Sequence, residues 1–196
     1  MTQGVQDNRD FYRIQDRAIL EFTKIDPQML EANQIDFPIP ISPEFYLLNE
    51  LHGIDNETSA LLRSISERER SIASYLKSLN HKIELIAQAI VQKSSDLEEL
   101  TPQEVTLSEG GISFTHKKSI PLATCLAVKL VLLPSYIGLL LLGRVVNCNE
   151  HISGNFLINL VFERLAESDR QLIARHVLQF QAKERRSNQD QEPTEK

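Results

Sequence analysis

The strongest pattern in this sequence is a stripe of apolar residues with helical spacing in the middle of the chain. Between about residues 59 and 92 the apolar positions follow one another at steps of three and four, which is the heptad period of a coiled coil. We expect one long helix there that ties several copies of a small β-rich domain together in a soluble protein. The stripe is formed by Leu62, Ile65, Ile72, Leu76, Leu79, Ile83, Ile86 and Ile90.

The heptad register of this stripe predicts how many helices associate. If Leu62 is an a position, isoleucine fills most of the d positions, and leucine or isoleucine fills most of the a positions. This combination disfavours a two-stranded coil and favours three or four strands, so we expect a homo-oligomer and specifically a tetramer. Glu69 occupies an a position, where a charge is unfavourable in a dry seam. It marks the register, pairs with an arginine of a neighbouring helix, or shows where the coil splays.

A second interpretation is that the stripe packs against the helix's own domain. A core-facing helix gives the same pattern over shorter spans. Tyr75, Leu85 and Val91 form a second apolar face that could pack within the same chain. The length of four heptads favours self-association over this alternative.

Strand-like segments lie on both sides of the helical region. Residues 12–22 end in the alternation of a first strand, and the prolines of residues 26–43 indicate an extended connector. The later strand-like segments are separated by Pro, Gly, Asn and Ser, and they are 104–107, 112–114, 122–133, 138–148 and 155–162. This order predicts an antiparallel β-meander.

The end of the chain has the pattern of a helix followed by a polar tail. Ser168 is expected to cap a helix over residues 169–182 that lies on the β-meander, and residues 183–196 are expected to be disordered. The fold class predicted from the whole pattern is α+β.

Composition excludes several classes of function. The net charge of −6 without a dense basic stripe argues against binding nucleic acid or an anionic membrane surface. The apolar run 130–146 is interrupted by Pro134, Ser135 and Gly138, so it predicts two strands and a turn, not a membrane span. The polar start of the chain predicts a cytoplasmic protein. The sequence contains no recognisable catalytic, metal or cofactor motif, so we expect no enzyme activity and no cofactor.

Two short fragments on opposite sides of the helical region resemble the motifs of the PilZ domain family. That family pairs R-x-x-x-R with D/N-x-S-x-x-G and uses both motifs to bind cyclic di-GMP. Arg9 and Arg13 match the first motif, and Arg13 has the same spacing to Arg17. In the second motif Ser108 and Gly111 match two fixed positions. Thr106 stands where the family has Asp or Asn.

The chain also resembles a subgroup of that family with a long helical insertion, whose members form tetramers through a helical bundle. Residues 75–87 and 169–177 carry this similarity, which extends from about residue 9 to residue 181. It implies a PilZ-like antiparallel β-barrel with a long inserted coiled-coil helix and a C-terminal helix. The implied parts are the N-terminal arm and first strand (1–25), the helical insertion (26–101), the remaining barrel and C-terminal helix (102–182), and the tail (183–196).

The resemblance implies a non-enzymatic bacterial effector that binds cyclic di-GMP and relays its state to a protein partner. Arg9 and Arg13 are expected to hold the phosphates and guanines, because the arginine fork fits phosphate and the O6 and N7 edge of guanine. Thr106, Ser108 and Gly111 are expected to supply the barrel side of the site.

The residue at position 106 leaves a second function open. A threonine hydroxyl makes about one hydrogen bond to guanine where Asp or Asn makes two, a deficit of about 1–3 kcal/mol. The family includes degenerate members that act as interaction scaffolds in motility or pilus machinery without nucleotide. The alternative expectation is therefore a scaffold of that kind.

Overall fold

The computed structural model describes residues 12–31, 37–92, 101–151 and 154–189. Its helices are α1 (Gln28–Glu31), α2 (Pro43–Arg68), α3 (Arg70–Gln92) and α4 (Glu167–Gln189). Its strands are β1 (Ile14–Ile25), β2 (Gln103–Ser108), β3 (Gly111–His116), β4 (Cys125–Leu132), β5 (Ile137–Glu150) and β6 (Phe156–Glu163). Within these residues the chain runs from one strand through three helices to five strands and a last helix.

The six strands of the described residues form a closed antiparallel barrel in the order β1-β2-β3-β6-β5-β4. β1 pairs with β2 and with β4, both of which follow the helices in sequence. Side chains alternate along each strand, so every second one points into the barrel. In β2 the inward side chains are Val105 and Leu107, and both belong to the main core. The predicted α+β fold with an antiparallel barrel is confirmed. The expected β-meander is wrong, because β3 pairs with β6 and not with β4.

The apolar run between residues 130 and 146 forms the end of β4, a turn and most of β5. This agrees with the two strands and turn predicted from Pro134, Ser135 and Gly138. Among the described residues, none of the helices combines the length and the apolar character that crossing a membrane requires.

The single long helix expected over about residues 59–92 is wrong, because the chain breaks at Glu69. α2 ends at Arg68 and α3 begins at Arg70, and Glu69 has φ −134° and ψ 78° between them. Glu69 is also the position at which a carboxylate interrupts the heptad stripe. A break there keeps the charge at a solvent-exposed turn and lets the two halves of the stripe fold back on each other.

α2 and α3 form an antiparallel hairpin. Asn80 Nδ2 donates to Asp55 Oδ1 across it at 3.4 Å, and Leu48 near the start of α2 shares a buried cluster with Ala87 near the end of α3. The hairpin divides the predicted stripe into two sets. The cleft between the helices is lined by Leu62, Ile65, Leu76 and Ile83. The stripe residues of α3 that are exposed to solvent are Ile72, Leu79, Ile83, Ile86 and Ile90, and Ile83 also borders the cleft.

The amino-terminal end of α2 attaches the hairpin to the outer wall of the barrel. Phe45 is buried against Ile19 of β1. Next to it the ammonium group of Lys129 is buried, 3.4 Å from Glu21 Oε2, and it donates to the carbonyl oxygen of Pro40 at 3.2 Å. Apolar packing and one charged tether therefore hold the connector and the hairpin on the barrel.

α4 packs beside β1 and β2, where Ile173 joins the barrel core. The helix begins at Glu167, and the carbonyl oxygen of Ala166 accepts a hydrogen bond from the backbone nitrogen of Arg170 at 2.9 Å. Ala166 thus occupies the position at which the first helical bond is accepted. The prediction that Ser168 caps this helix is wrong, because Ser168 lies inside its first turn.

The helix also extends further than the sequence predicted. It continues to Gln189, so the expected disordered tail is wrong for residues 183–189, while residues 190–196 lie outside the described part of the chain. Lysine, arginine and glutamate dominate residues 183–186, and these residue types have good helix propensity even where no core is available.

Candidate functional site

The second motif lies on the outer face of the barrel, at the hairpin between β2 and β3. Val105 and Leu107 point into the core, so the alternate residues Thr106 and Ser108 belong to the outer face. Ser108 pairs with Gly111 in the strand register, and Ser108 Oγ donates to the carbonyl oxygen of Gly111 at 3.3 Å. The structure therefore brings Thr106, Ser108 and Gly111 together on one surface.

Gly111 is required by the close approach of the neighbouring strand. A Cβ atom at this position would clash with the backbone carbonyl oxygen of Leu160 in β6. Because the backbone at Gly111 belongs to β3, space and not a left-handed conformation explains the glycine. The glycine therefore allows β3 to pair closely with β6 beside the hairpin.

Arg13 lies at the start of β1, next to this hairpin. It directly precedes Ile14, which pairs with Leu107, so Arg13 stands at the level of Ser108 and is exposed. The structure thus places one arginine of the first motif beside the second motif. Arg9, the other arginine, lies outside the described residues.

The sequence reading passed over Gln15 of β1 as a site residue. Gln15 pairs with Thr106 in the strand register, and Thr106 Oγ1 donates to Gln15 Oε1 at 3.2 Å. Arg17 follows on the same face, opposite Glu104. The sequence signal for Gln15 is its spacing. Arg13, Gln15 and Arg17 follow one another at steps of two, so they lie on the same face of β1.

A polar band continues across the barrel from this pair. Thr106 pairs with Ser113 of β3, and Ser113 pairs with Asn159 of β6. We call Gln15, Thr106, Ser113 and Asn159 the polar band. The Oδ1 atom of Asn159 is buried and has no hydrogen-bond partner within the described ranges of the chain. The band therefore places polar groups side by side across four neighbouring strands of the outer face.

A groove of about 850 Å³ opens beside the band, between the barrel, α3 and α4. We call it the α3–α4 groove. Its walls include Gln15 and Arg17 from β1, Glu84 from α3, and Phe180 and Lys183 from α4. Gln15 is thus shared between the polar band and the groove, which has a volume in the range of small-molecule sites.

A third arginine on the outer face is already engaged within the protein. Arg144 stands in the same row as Gly111, with Val161 of β6 between them. Arg144 Nε donates to Glu163 Oε1 at 2.6 Å, and a second guanidinium nitrogen donates to Oε2 at 3.2 Å. These hydrogen bonds raise the pKa of Arg144. Because Glu163 balances this charge, Arg13 and Arg17 are the cations that flank the motif in the described part of the chain.

The fold is a small closed antiparallel β-barrel that carries the two-part motif on its outer face. Residues 84–179, just under half of the chain, match the family model described as the PilZ domain. The predicted resemblance to the PilZ family is therefore confirmed over these residues. The matched range covers the end of α3, the strands from β2 to β6 and most of α4, while β1 joins the barrel from outside it.

The structure is similar to that of a pathogenic protein from Xanthomonas campestris, described as a tetrameric PilZ domain self-assembled via an unusual helical bundle. The TM-score is 0.51 at 18% sequence identity, and the match covers 90% of this chain and 89% of that one. The two proteins share a fold, helical insertion included.

A weaker match is the inhibitor of motility MotI/DgrA of Bacillus subtilis, with a TM-score of 0.37, 18% identity and 44% coverage of each chain. That score is too low to support a structural comparison. No curated protein matches the sequence at a significant level.

Proposed function

We propose that this protein is a cytoplasmic, non-enzymatic effector that binds cyclic di-GMP on the outer face of its barrel and relays that state to a protein partner. The observation that carries the proposal is the position of Thr106, Ser108 and Gly111 on one outer surface, beside Arg13. These residues come from segments separated by the whole helical hairpin.

Each residue has a chemical role that suits this ligand. Arg13, with Arg9, supplies a planar fork for the phosphates or for the O6 and N7 edge of guanine. Ser108 is mostly buried and its hydroxyl bonds the backbone of Gly111, so it keeps the hairpin tight. Gly111 allows β3 to pack closely against β6 and so sets the position of the hairpin.

Calorimetry with cyclic di-GMP tests this function. Saturable binding at micromolar or tighter affinity by the native protein, lost in Arg13→Ala, is expected. Arg63→Ala is the matched control, because Arg63 is an exposed arginine of α2 and lies on the hairpin. Loss of affinity in both variants would mean that only general charge attraction had been measured.

We also propose that the protein forms a homo-oligomer, and specifically a tetramer, through the exposed face of α3. Support comes from the apolar residues of that face, Ile72, Leu79, Ile83, Ile86 and Ile90, which are between 42% and 62% exposed in the single chain. An apolar stripe of this length on a helix surface is typical of an interaction site. The residues Leu62, Ile65 and Leu76 instead line the cleft inside the hairpin.

One observation favours a second candidate, an interaction scaffold in motility or pilus machinery that binds no nucleotide. The Thr106 hydroxyl already donates to Gln15, and the acidic Glu104 and Glu109 lie close to Thr106 in sequence. Absence of heat on titration at high protein concentration, with the oligomer intact, would favour the scaffold.

A further inference from the structure

Gln15 stands at the centre of the outer face of β1. It is exposed and lies between Arg13 and Arg17, about 7 Å along the strand from each. The family motifs assign it no role. Its neighbours on the same face are the two arginines that flank the candidate site.

Thr106 fixes the orientation of the Gln15 side chain. Its hydroxyl donates to Gln15 Oε1 at 3.2 Å, so the carbonyl end of the amide is turned toward β2. The amide nitrogen Nε2, with two N–H donors, is the end that remains for a ligand. The pair therefore presents a hydrogen-bond donor at the place where the family motif has the side chain of Asp or Asn.

The chemistry of that donor discriminates between purines. A freely rotating glutamine amide suits adenine, which shows one acceptor and one donor at N7 and N6. Guanine shows two acceptors, O6 and N7, on the same edge. Thr106 engages one lone pair of Gln15 Oε1 and turns Nε2 outward. The N–H donors of Nε2 meet two acceptors on the guanine edge but only one on the adenine edge, so the pair favours guanine.

The structure leaves space for a base at this point. Gln15 lines the α3–α4 groove of about 850 Å³, and Phe180 of α4 lines the same groove. Arg17 lines the same groove and is exposed. A flat base can enter there with its polar edge toward Gln15 and its faces against these side chains.

We propose that Gln15 contacts a guanine base and determines the preference of the site for guanine over adenine, with Thr106 as the residue that positions it. This inference rests on the proposed cyclic di-GMP function. In this proposal Gln15 of β1 recognises the base, a role that the family motif gives to the Asp or Asn replaced here by Thr106.

The test compares the affinities of cyclic di-GMP and cyclic di-AMP, which carry the same phosphates. The ratio of the two affinities is measured by calorimetry for the native protein, Gln15→Leu and Gln15→Glu. Gln15→Leu is expected to lower the ratio roughly 5- to 150-fold, the range for one good base contact. Gln15→Glu places acceptors opposite O6 and N7 and is expected to lower the ratio further. Gln171→Leu, at an exposed glutamine of α4, should leave the ratio unchanged.

Thr106→Val provides a second variant, since it removes the hydroxyl that orients Gln15 and should also lower the ratio. An unchanged ratio in Gln15→Leu, or a higher ratio in Gln15→Glu, overturns the role of Gln15 while the nucleotide function stands. Absence of binding by the native protein overturns the proposed function and this inference with it. Circular dichroism of each variant checks that the fold is retained.

Discussion

Asp16 of β1 and His176 of α4 are 160 residues apart in sequence and form a buried pair, with 2.6 Å between Asp16 Oδ2 and His176 Nε2. Both side chains are less than a tenth exposed. Asp16 directly follows Gln15, so the same stretch of β1 supports the candidate site on its outer face and anchors α4 on its inner side.

Asp16→Ala is expected to lower the free energy of unfolding by about 1–3 kcal/mol, because it leaves a buried imidazole nitrogen without its partner. Urea denaturation at neutral pH measures this change. Asp16→Asn keeps a hydrogen-bonding group at the position and should cost less. A loss in Asp16→Ala no greater than that of Glu57→Ala, at an exposed carboxylate of α2, would contradict the anchoring role.

Lys129 and Glu21 give a prediction in which the two partners behave differently. Lys129 is almost fully buried, whereas Glu21 is 38% exposed. Glu21→Ala leaves the buried charge of Lys129 without its partner. It should lower the free energy of unfolding by about 1–2 kcal/mol, a value that already allows for the partial exposure of Glu21. Lys129→Met replaces the charge with an apolar chain of similar length and should be neutral or stabilising. Equal losses in both variants, by chemical denaturation, would refute this account of the tether.

Gly111 and Gly53 give a matched pair of glycine substitutions. Gly111→Ala forces a Cβ atom against the Leu160 carbonyl oxygen and should cost about 1–3 kcal/mol through overpacking. Gly53 lies inside α2 with open space around it, so Gly53→Ala should stabilise the protein by about 0.5–1 kcal/mol. Thermal unfolding of the two variants checks the opposite signs. Similar shifts of the melting temperature in the same direction would show that the close approach of β6 is not the reason for a glycine at position 111.

The exposed face of α3 gives a prediction about assembly. Ile72→Asp, Leu79→Asp and Ile86→Asp together should split the oligomer, because each places an uncompensated charge in an apolar contact. Sedimentation velocity measures the size. Leu122→Asp is the control, since Leu122 is 64% exposed on the barrel and outside this face. A triple variant with the native sedimentation coefficient would rule out assembly through α3.

The strands and the outer-face position of the second motif could be predicted because they depend on local patterns. Because side chains alternate along β2, Thr106 and Ser108 lie on the outer face while Val105 and Leu107 point into the core. The break at Glu69 could not be predicted, because a continuous coil and an antiparallel hairpin share the same period of three and four. A charged a position was the only local signal of it.

The pairs that build the site are non-local, and this explains why sequence reasoning missed them. Gln15 and Thr106 are 91 residues apart, and their hydrogen bond depends on the register of β1 against β2. The pairing of Asp16 with His176 depends in turn on how α4 packs. Spacing along the chain carries no information about either contact.

The most direct test of the central claim is a titration of cyclic di-GMP into the native protein and Thr106→Asn, followed by calorimetry at one fixed salt concentration. The variant restores the amide of the family motif at the outer face, and its Nδ2 can donate to Gln15 Oε1 in place of the threonine hydroxyl. Saturable binding by the native protein, tightened roughly 5- to 150-fold in Thr106→Asn, is the predicted result. No binding heat from either protein at high concentration would contradict the account and leave the scaffold function in its place.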